Sequence, residues 1–496
     1  MYAMLQGLSY FLNPRFVLIC GLGSLAGLLV GSIPGLSVSM ATALLVSVTY
    51  SWPAADALAA IMGVYVVGVF SGALPAILLN IPGAPSSVVT VLDGYPMAKR
   101  GEAYKAIKYA TVYSFVGSLF GLLALALTAK PVAALALRFQ PMDYFLLALF
   151  GLTTVGGLTG GSFVKGLTST AFGLFFSMIG MDSVLGTPRL TFGVYALTAG
   201  IPTVPALIGL FGFAEVLSAA AAGQTEAEAG SVRRQRVPLG ELLRHLGHSL
   251  YYSLIGAAVG ALPGAGGPVA ALLAYSRAKR IVKNPSRPFG EGAVEGIVAS
   301  ESANNACIGG ALIPMLTLAV PGDAVTAIIL SVFYVHGLQP GPMFLTTGAE
   351  SFYAILGGGF ISCLFLLALG LLAAPRLSRV VSIPGRILLP TVALLCVVGA
   401  YACGGRLFDV ALMLFFGVLG YGMRLRGYPA APMTLALVLG GMMDSNFRRA
   451  VSLASTADHV LPALFGRPIT LALLALTLGS VVTGLRAARR KTRDAK

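Results

Sequence analysis

The chain has 496 residues, 57% of them hydrophobic and 10% charged, with a formal net charge of +15. Soluble domains carry about 25% charged residues, so a mean hydropathy of +0.86 places this chain in a bilayer and leaves no room for a sizeable soluble domain. The basic residues form no single patch of the kind nucleic acid requires; they fall in short loops between apolar stretches and in the tail from Arg486 to Lys496, which is the positive-inside pattern.

Five cysteines (Cys20, Cys307, Cys363, Cys396 and Cys403) lie in or beside apolar runs, with neither disulfide-framework nor metal-ligand spacing. They read as packing residues. Glycine, at 62 residues, is well above its usual share of about 7%, which signals close helix packing and broken helices.

In chain order, the apolar run Phe16 to Val30 follows Asn13-Pro14-Arg15. No small-residue cleavage site follows, so it reads as a first membrane segment and not as a signal peptide. It leads through Pro34-Gly35 to a shorter run, Val38 to Tyr50, and to Trp52, an interface anchor. Residues 55–92 form a long apolar segment interrupted by Asn80-Ile81-Pro82-Gly83-Ala84-Pro85-Ser86-Ser87. Proline removes a backbone donor and collides with the preceding turn, so a helix must open there. Open backbone at membrane depth is tolerated only where protein buries it or where it lines a polar cavity. A turn-rich basic loop is expected over Asp93 to Glu102, then spans at 106–128, about 143–158, 166–180 and 203–222. Residues 223–248 are polar and read as a cytoplasmic linker.

The pattern then returns. Pro263-Gly264 stands 229 residues after Pro34-Gly35, and Pro321-Gly322 stands 239 residues after Pro82-Gly83. In both breaks a proline precedes the Pro-Gly pair by seven residues, Pro75 in the first and Pro314 in the second. Paired breaks in two halves are the best sequence pointer to a transporter's binding site. The chain divides into a first membrane repeat (1–222), the linker (223–248), a second repeat (249–446), and a C-terminal helix with a basic tail (447–496).

Charge fixes the relation between the halves. Lys99, Arg100, Lys105 and Lys108 mark a cytoplasmic loop, whereas its counterpart from His336 to Glu350 has no Lys or Arg. Conversely, Arg277 to Arg287 is strongly basic and its counterpart near Trp52 is not. Equivalent loops prefer opposite sides, so the repeats read as inverted. Both ends of 249–276 are then cytoplasmic, so it reads as a re-entrant hairpin around Pro263-Gly264-Ala265-Gly266-Gly267, with two thin spanning helices as the alternative, and 16–50 reads as its counterpart from outside. The expected fold class is an all-α polytopic membrane protein with two inverted repeats, re-entrant hairpins and discontinuous helices.

Several long motifs stand in order: Leu79 to Ser87 running into Asp93-Gly94-Tyr95-Pro96-Met97-Ala98; Leu262 to Gly267; Phe289-Gly290-Glu291-Gly292; Glu301-Ser302-Ala303-Asn304-Asn305-Ala306; Gly309 to Pro314; and His336 to Pro342. On these the sequence resembles the large permease subunit of tripartite tricarboxylate transporters (the TctA family) over nearly its whole length, to about residue 445. The resemblance implies a secondary transporter in the bacterial inner membrane, working with a small membrane subunit and a periplasmic binding protein that delivers a carboxylate. Such systems run on an ion gradient and not on ATP. Citrate and other carboxylates are among the family's substrates.

A carboxylate at the midplane needs donors without a fully buried cation, and half-helix N-termini supply them. The expected substrate-binding residues are Ser37, Asn80, Gly83, Ser86, Ser87, Gly264, Gly266, Gly267, Asn304, Asn305, Gly322 and Thr326. Ser86, Ser87 and Thr326 are expected to meet around one carboxylate. For the coupling ion, Na⁺ or H⁺, the candidates are Asp323, Glu301, Asn80 and Asn305, because hard cations take oxygen and intramembrane carboxyls are functional suspects. For each hydroxyl the alternative is a bond back to its own helix, and for Asp323 an N-cap. Glu295 and Glu301 could equally be solvated at an interface, since 289–307 is polar. Lys165 reads as a loop lysine, Asp93 and His336 as turn or gate residues. No catalytic residue, resident metal or cofactor is expected. Two other readings stay open: a stand-alone carboxylate symporter, and a membrane-embedded enzyme using Glu295, Glu301 and His336.

Overall fold

The computed structural model describes residues 9–33, 36–158, 162–182, 186–222, 235–380, 385–456 and 459–494. The Pro34-Gly35 turn and residues 223–234 of the expected linker lie outside them.

In the first half, α1 (Pro14–Ser32), α2 (Val38–Val48), α3 (Ala54–Ser71) and α4 (Ala73–Leu79) lead to the first break. A 3₁₀ turn (Pro85–Ser87) precedes α5 (Val88–Lys99), α6 (Ala103–Ala136), α7 (Pro141–Leu158) and α8 (Phe163–Ser177). A two-residue ribbon pairs β1 (Gly180–Met181) with β2 (Pro188–Arg189) antiparallel. The half closes with α9 (Thr203–Leu207), a π-turn (Ile208–Phe213) and α10 (Ala214–Ala222). After α11 (Leu239–Leu243), the second half has α12 (Leu246–Gly260), α13 (Gly266–Ile281), α14 (Val294–Leu318) and α15 (Ala324–Val335). Then come α16 (Phe344–Thr347), α17 (Ala349–Val380), α18 (Gly385–Gly404), α19 (Leu407–Leu425), α20 (Ala430–Ser455), α21 (Val460–Phe465) and α22 (Pro468–Asp494). This is an all-α polytopic membrane protein; among the described residues 7 helices are long and apolar enough to cross a bilayer.

The helix starts follow local chemistry. Asn13 caps α1 by accepting from the amides of Arg15 (3.0 Å) and Phe16 (3.3 Å), and Pro14 at the first helical position loses no bond. Ser37 caps α2 through the Met40 amide at 3.1 Å. The Arg15–Asp56 ion pair at 2.6 Å brings the foot of α1 to the start of α3, so α1 and α2 fold back as a hairpin. Arg277 on α13 donates to the Tyr251 hydroxyl on α12 at 3.1 Å, which closes the second hairpin in the same way.

Glycine sets how closely these hairpins dock. A methyl group at Gly27 would lie 2.7 Å from the Val64 carbonyl oxygen, and one at Gly256 would meet the Ala303 carbonyl. One at Gly31 would lie 2.7 Å from the Gly68 oxygen and one at Gly260 would lie 2.5 Å from the Cys307 oxygen. The glycines of each pair are 229 residues apart and their carbonyl partners 239, the spacings of the Pro-Gly landmarks. At the core stands α14, buried from Val294 to Thr317 against α6, α12 and α13.

Several expectations are corrected. The helix of α5 runs through Asp93-Gly94-Tyr95-Pro96 to Lys99, where a loop was expected. Contacts override propensity there: Gly94 rests on Ile77, and the Asp93 side chain is held from outside the helix. Residues 294–307 are a buried helix and not an interfacial segment, because their polar groups find partners on neighbouring helices. The span expected at 106–128 is the longer α6.

Candidate substrate and ion site

Both breaks close the same way. Asn80 adopts φ 62° and Ala319 φ 57°, left-handed caps that end α4 and α14. The Asn80 and Ile81 amides both reach back to the Pro75 carbonyl, the second at 3.4 Å, and the Ala319 and Val320 amides reach back likewise to Pro314, the second at 3.3 Å. Asparagine tolerates this conformation, so Asn80 serves as a cap with an exposed side chain. The Pro-Gly pairs rest on matching carbonyls: a methyl group at Gly83 would lie 2.7 Å from the Gly31 oxygen, and one at Gly322 would lie 2.5 Å from the Gly260 oxygen.

Beyond the glycines the breaks differ. Asp323 caps α15, its Oδ1 accepting from the Thr326 amide at 2.8 Å while the Thr326 hydroxyl accepts from the Asp323 amide at 2.9 Å. The Thr326 hydroxyl is thereby committed to the cap. Asp323 Oδ2 accepts from the Tyr65 hydroxyl of α3 at 2.7 Å, linking the two halves. In the first half, Ala84 stands at the matching position and no side chain caps the 3₁₀ turn.

These breaks converge on the start of α13. The Gly264 amide donates to the Gly322 carbonyl at 2.8 Å. Gly264 and Gly266 have φ of 77° and 64°, which requires glycine. A methyl group at Gly266 would lie 3.4 Å from the Asp323 Cβ; one at Gly267 would lie 3.3 Å from the Ser86 Cβ and would strike Asn304 Oδ1. Ser86, Asn304 and Asp323 thus ring the first turn of a 16-residue helix, whose leading amides lack intrahelical acceptors. Asn304 is 2% exposed and its Nδ2 has no hydrogen-bond partner. A buried unpaired amide costs roughly 1–3 kcal/mol, so Asn304 keeps a free donor at that cost. Ser87 is also buried with an unpartnered hydroxyl, but it points to Gly72.

One turn back on α14, Glu301 is 1% exposed. Its carboxyl bonds to the hydroxyls of Thr90 on α5 and Ser114 on α6, the latter at 2.9 Å. Asn305 Nδ2 donates to the Ser114 oxygen at 2.9 Å and to the Glu301 carbonyl at 3.0 Å, so Asn305 belongs to this group and not to the ring around Gly267.

Residues 17–435 match the family model described as "Tripartite tricarboxylate transporter TctA family". The chain belongs to that family. TctA is a family of membrane transporters rather than of enzymes. The chain is 34% identical to "Uncharacterized 52.8 kDa protein in TAR-I ttuC' 3'region" of Agrobacterium vitis, over 98% of this chain and 97% of that one. It is 35% identical to "Uncharacterized protein in TAR-II ttuC' 3'region" of the same organism, over 48% of this chain and 97% of that one. No solved structure matches.

In this TctA-family chain the motif Asp93-Gly94-Tyr95-Pro96 has a structural role that sequence reasoning missed. Asp93 is fully buried, and its Oδ1 accepts from the amides of Gly290 (2.8 Å), Gly292 (2.9 Å) and Ala293 (2.8 Å). Its Oδ2 accepts from the Tyr275 hydroxyl at 2.9 Å. Arg287 pairs with Glu102 and Lys105 with Glu241 (2.6 Å), so the basic loops meet at one end of the molecule. The Arg287 hydrogen bond holds the Glu102 carboxyl below its ordinary value, as Lys105 does for Glu241. Glu295 holds the same connection from α14, accepting from the Ser286 amide (3.0 Å) and hydroxyl (2.7 Å). Lys165 lies in the first turn of α8, where it donates to the Arg426 carbonyl. His336 ends α15 with its Nε2 buried and without a partner.

Proposed function

We propose that this chain is the large permease subunit that carries a di- or tricarboxylate through a bacterial inner membrane, with a small membrane subunit and a periplasmic binding protein as partners. The observation that carries the reading is the unpaired Asn304 amide at the start of α13, ringed by Ser86 of one break and Asp323 of the other. Backbone amides and one side-chain amide are suited to a carboxylate. The Asp323 carboxylate beside them repels an anion unless it carries a positive partner, which is the physical reason for co-transport with Na⁺ or H⁺. Ser86 and Asn304 are 7% and 2% exposed while Asp323 and Gly267 are half-buried, so substrate reaches the Asn304 amide by a movement of the breaks.

The proposed topology is two inverted repeats with the C-terminus in the cytoplasm. Its support is the distribution of basic loops, together with the ion pairs that join them. Arg287–Glu102 ties the two basic loops read as cytoplasmic, and Lys105–Glu241 ties them to the polar linker.

Thermal-shift titration of the purified chain with citrate and a panel of other di- and tricarboxylates tests the site. At least one should stabilise it, and Asn304→Ala should weaken that ligand about tenfold or more, the worth of a hydrogen bond to a charged group. No stabilisation by any carboxylate, or equal affinity in Asn304→Ala, would refute the site.

A further inference from the structure

A second buried carboxyl lies outside the ring around Gly267, and its surroundings are of one kind. Glu301 meets Thr90, Ser114 and the Asn305 amide, and no cationic group bonds to it among the described residues. The charges on the helices that pack against it are engaged elsewhere. On α6, Lys105 pairs with Glu241 and Lys108 lies over the Tyr104 ring. On α5, Asp93 is held by Tyr275 and three backbone amides. On α13, Arg277 bonds Tyr251 and Lys279 lies over the Tyr275 ring. The Tyr252 hydroxyl of α12 has no partner, and Tyr65 of α3 is bonded to Asp323 of α15. On α14 itself, Glu295 is bonded to Ser286.

The hydrogen-bond directions can be completed with the carboxyl neutral as well as ionised, so the cost of burial decides between the two forms. Ser300 donates to the Ile297 carbonyl at 3.2 Å, so toward Thr90, also at 3.2 Å, it can accept. Toward an ionised carboxyl Thr90 donates to Oε1 and Ser114 to Oε2; toward a neutral one Thr90 can instead donate to Ser300 and accept the acid proton. An anion in this position is a buried charge without a counter-ion, the costly case.

We propose that Glu301 is a proton-binding site, protonated while α5 is closed on α14, and that it releases its proton only when the first break moves α5 away. On release the carboxyl O–H bond breaks and the proton passes to a water admitted between the helices. Recapture from the other side of the membrane reverses it. Thr90 lies three residues after Ser87 on the segment that carries Ser86, and Asn304 is one turn beyond Glu301. The proton would thus report to both sides of the carboxylate ring. This rests on the transporter reading, but the test does not.

Infrared difference spectra of the full chain in lipid nanodiscs, recorded across pH, should contain the carbonyl band of a buried carboxylic acid at neutral pH. That band should disappear in Glu301→Gln and shift in frequency in Ser114→Ala, which removes one donor and keeps the acid. Spectra of wild type and Glu301→Gln that coincide would overturn the proposal, as would a Ser114→Ala band at the wild-type frequency. Loss of the band on adding sodium chloride at constant pH, with potassium chloride as control, would overturn it in favour of a sodium site. In vesicles, with whichever carboxylate the thermal-shift panel identifies, Glu301→Gln should lose the proton-driven accumulation of the wild type. Absence of accumulation in the wild type itself, with an intact infrared result, would count against the transport reading and not against the proton site.

Discussion

Replacing Asp93 separates a packing role from a charge role. In Asp93→Ala the amides of Gly290, Gly292 and Ala293 lose their acceptor, and so does Tyr275. The bonds to Gly292 and Ala293 are buried, and each buried amide left unpaired costs roughly 1–3 kcal/mol. The pair alone amounts to about 2–6 kcal/mol, a large part of the 5–15 kcal/mol typical of a folded domain. Asp93→Asn keeps an oxygen for the amides and presents its own amide to the Tyr275 oxygen. It loses only charge assistance, about 1–2 kcal/mol. Thermal unfolding in detergent should therefore rank wild type, Asp93→Asn and Asp93→Ala in that order. Trypsin should cut after Lys283, which Asn284 follows, fastest in the alanine variant. Equal behaviour of the two variants, or a loop no more accessible in Asp93→Ala than in wild type, would refute the clamp.

Cysteines introduced at Lys99 and Thr347, both exposed, should label from opposite sides of the membrane; same-side labelling would rule out inverted repeats. The Glu102 carboxyl is held below its ordinary value of 4.5 by Arg287. A depressed acid contributes stability above its unfolded value and loses it as pH falls through the folded one. The thermal midpoint should therefore drop below about pH 4.5, and less so in Glu102→Gln; equal pH dependence in both would show that the pair contributes nothing there.

The parts of the fold that could be read from sequence are those where the chemistry is local. An adjacent Pro-Gly pair in an apolar run opens the helix locally, so the openings at Pro82-Gly83 and Pro321-Gly322 needed no tertiary knowledge. The convergence on Gly267 is another matter. Gly267, Asn304 and Ser86 are distant in sequence, and no spacing reveals that the Asn304 amide is left unpaired. Asn305, its neighbour, turns to Ser114 instead, because successive residues on a helix point about 100° apart. Average polarity also misled over 294–307: Ser300, Glu301, Ser302 and Asn305 look solvated until α5, α6 and α12 supply hydroxyls to match them. Asp93 was hidden for the opposite reason. Its flanking glycine and proline suggest a loop, but the chain stays helical because a partner segment holds the side chain.

The two breaks share a backbone but not a constraint, and the difference assigns them different work. The second starts its new helix with a capping box, and Tyr65 of the other half holds the same carboxylate. Val320, Pro321 and Gly322 are buried. The first has Ala84 in place of the capping acid, a single 3₁₀ turn, an unpartnered Ser87 hydroxyl, and exposed Asn80, Ile81 and Pro82. A helix start without a cap gives up about 1 kcal/mol, and backbone open to water exchanges its hydrogen bonds cheaply. The first break is thus the less restrained of the two, and Ser86 and Thr90 belong to it, while the second holds Asp323 in place. Hydrogen exchange should be faster across 80–90 than across 319–329, and a carboxylate that binds at Gly267 should slow the first segment far more than the second. Equal protection of the two segments, or a ligand effect confined to the second, would reverse the assignment.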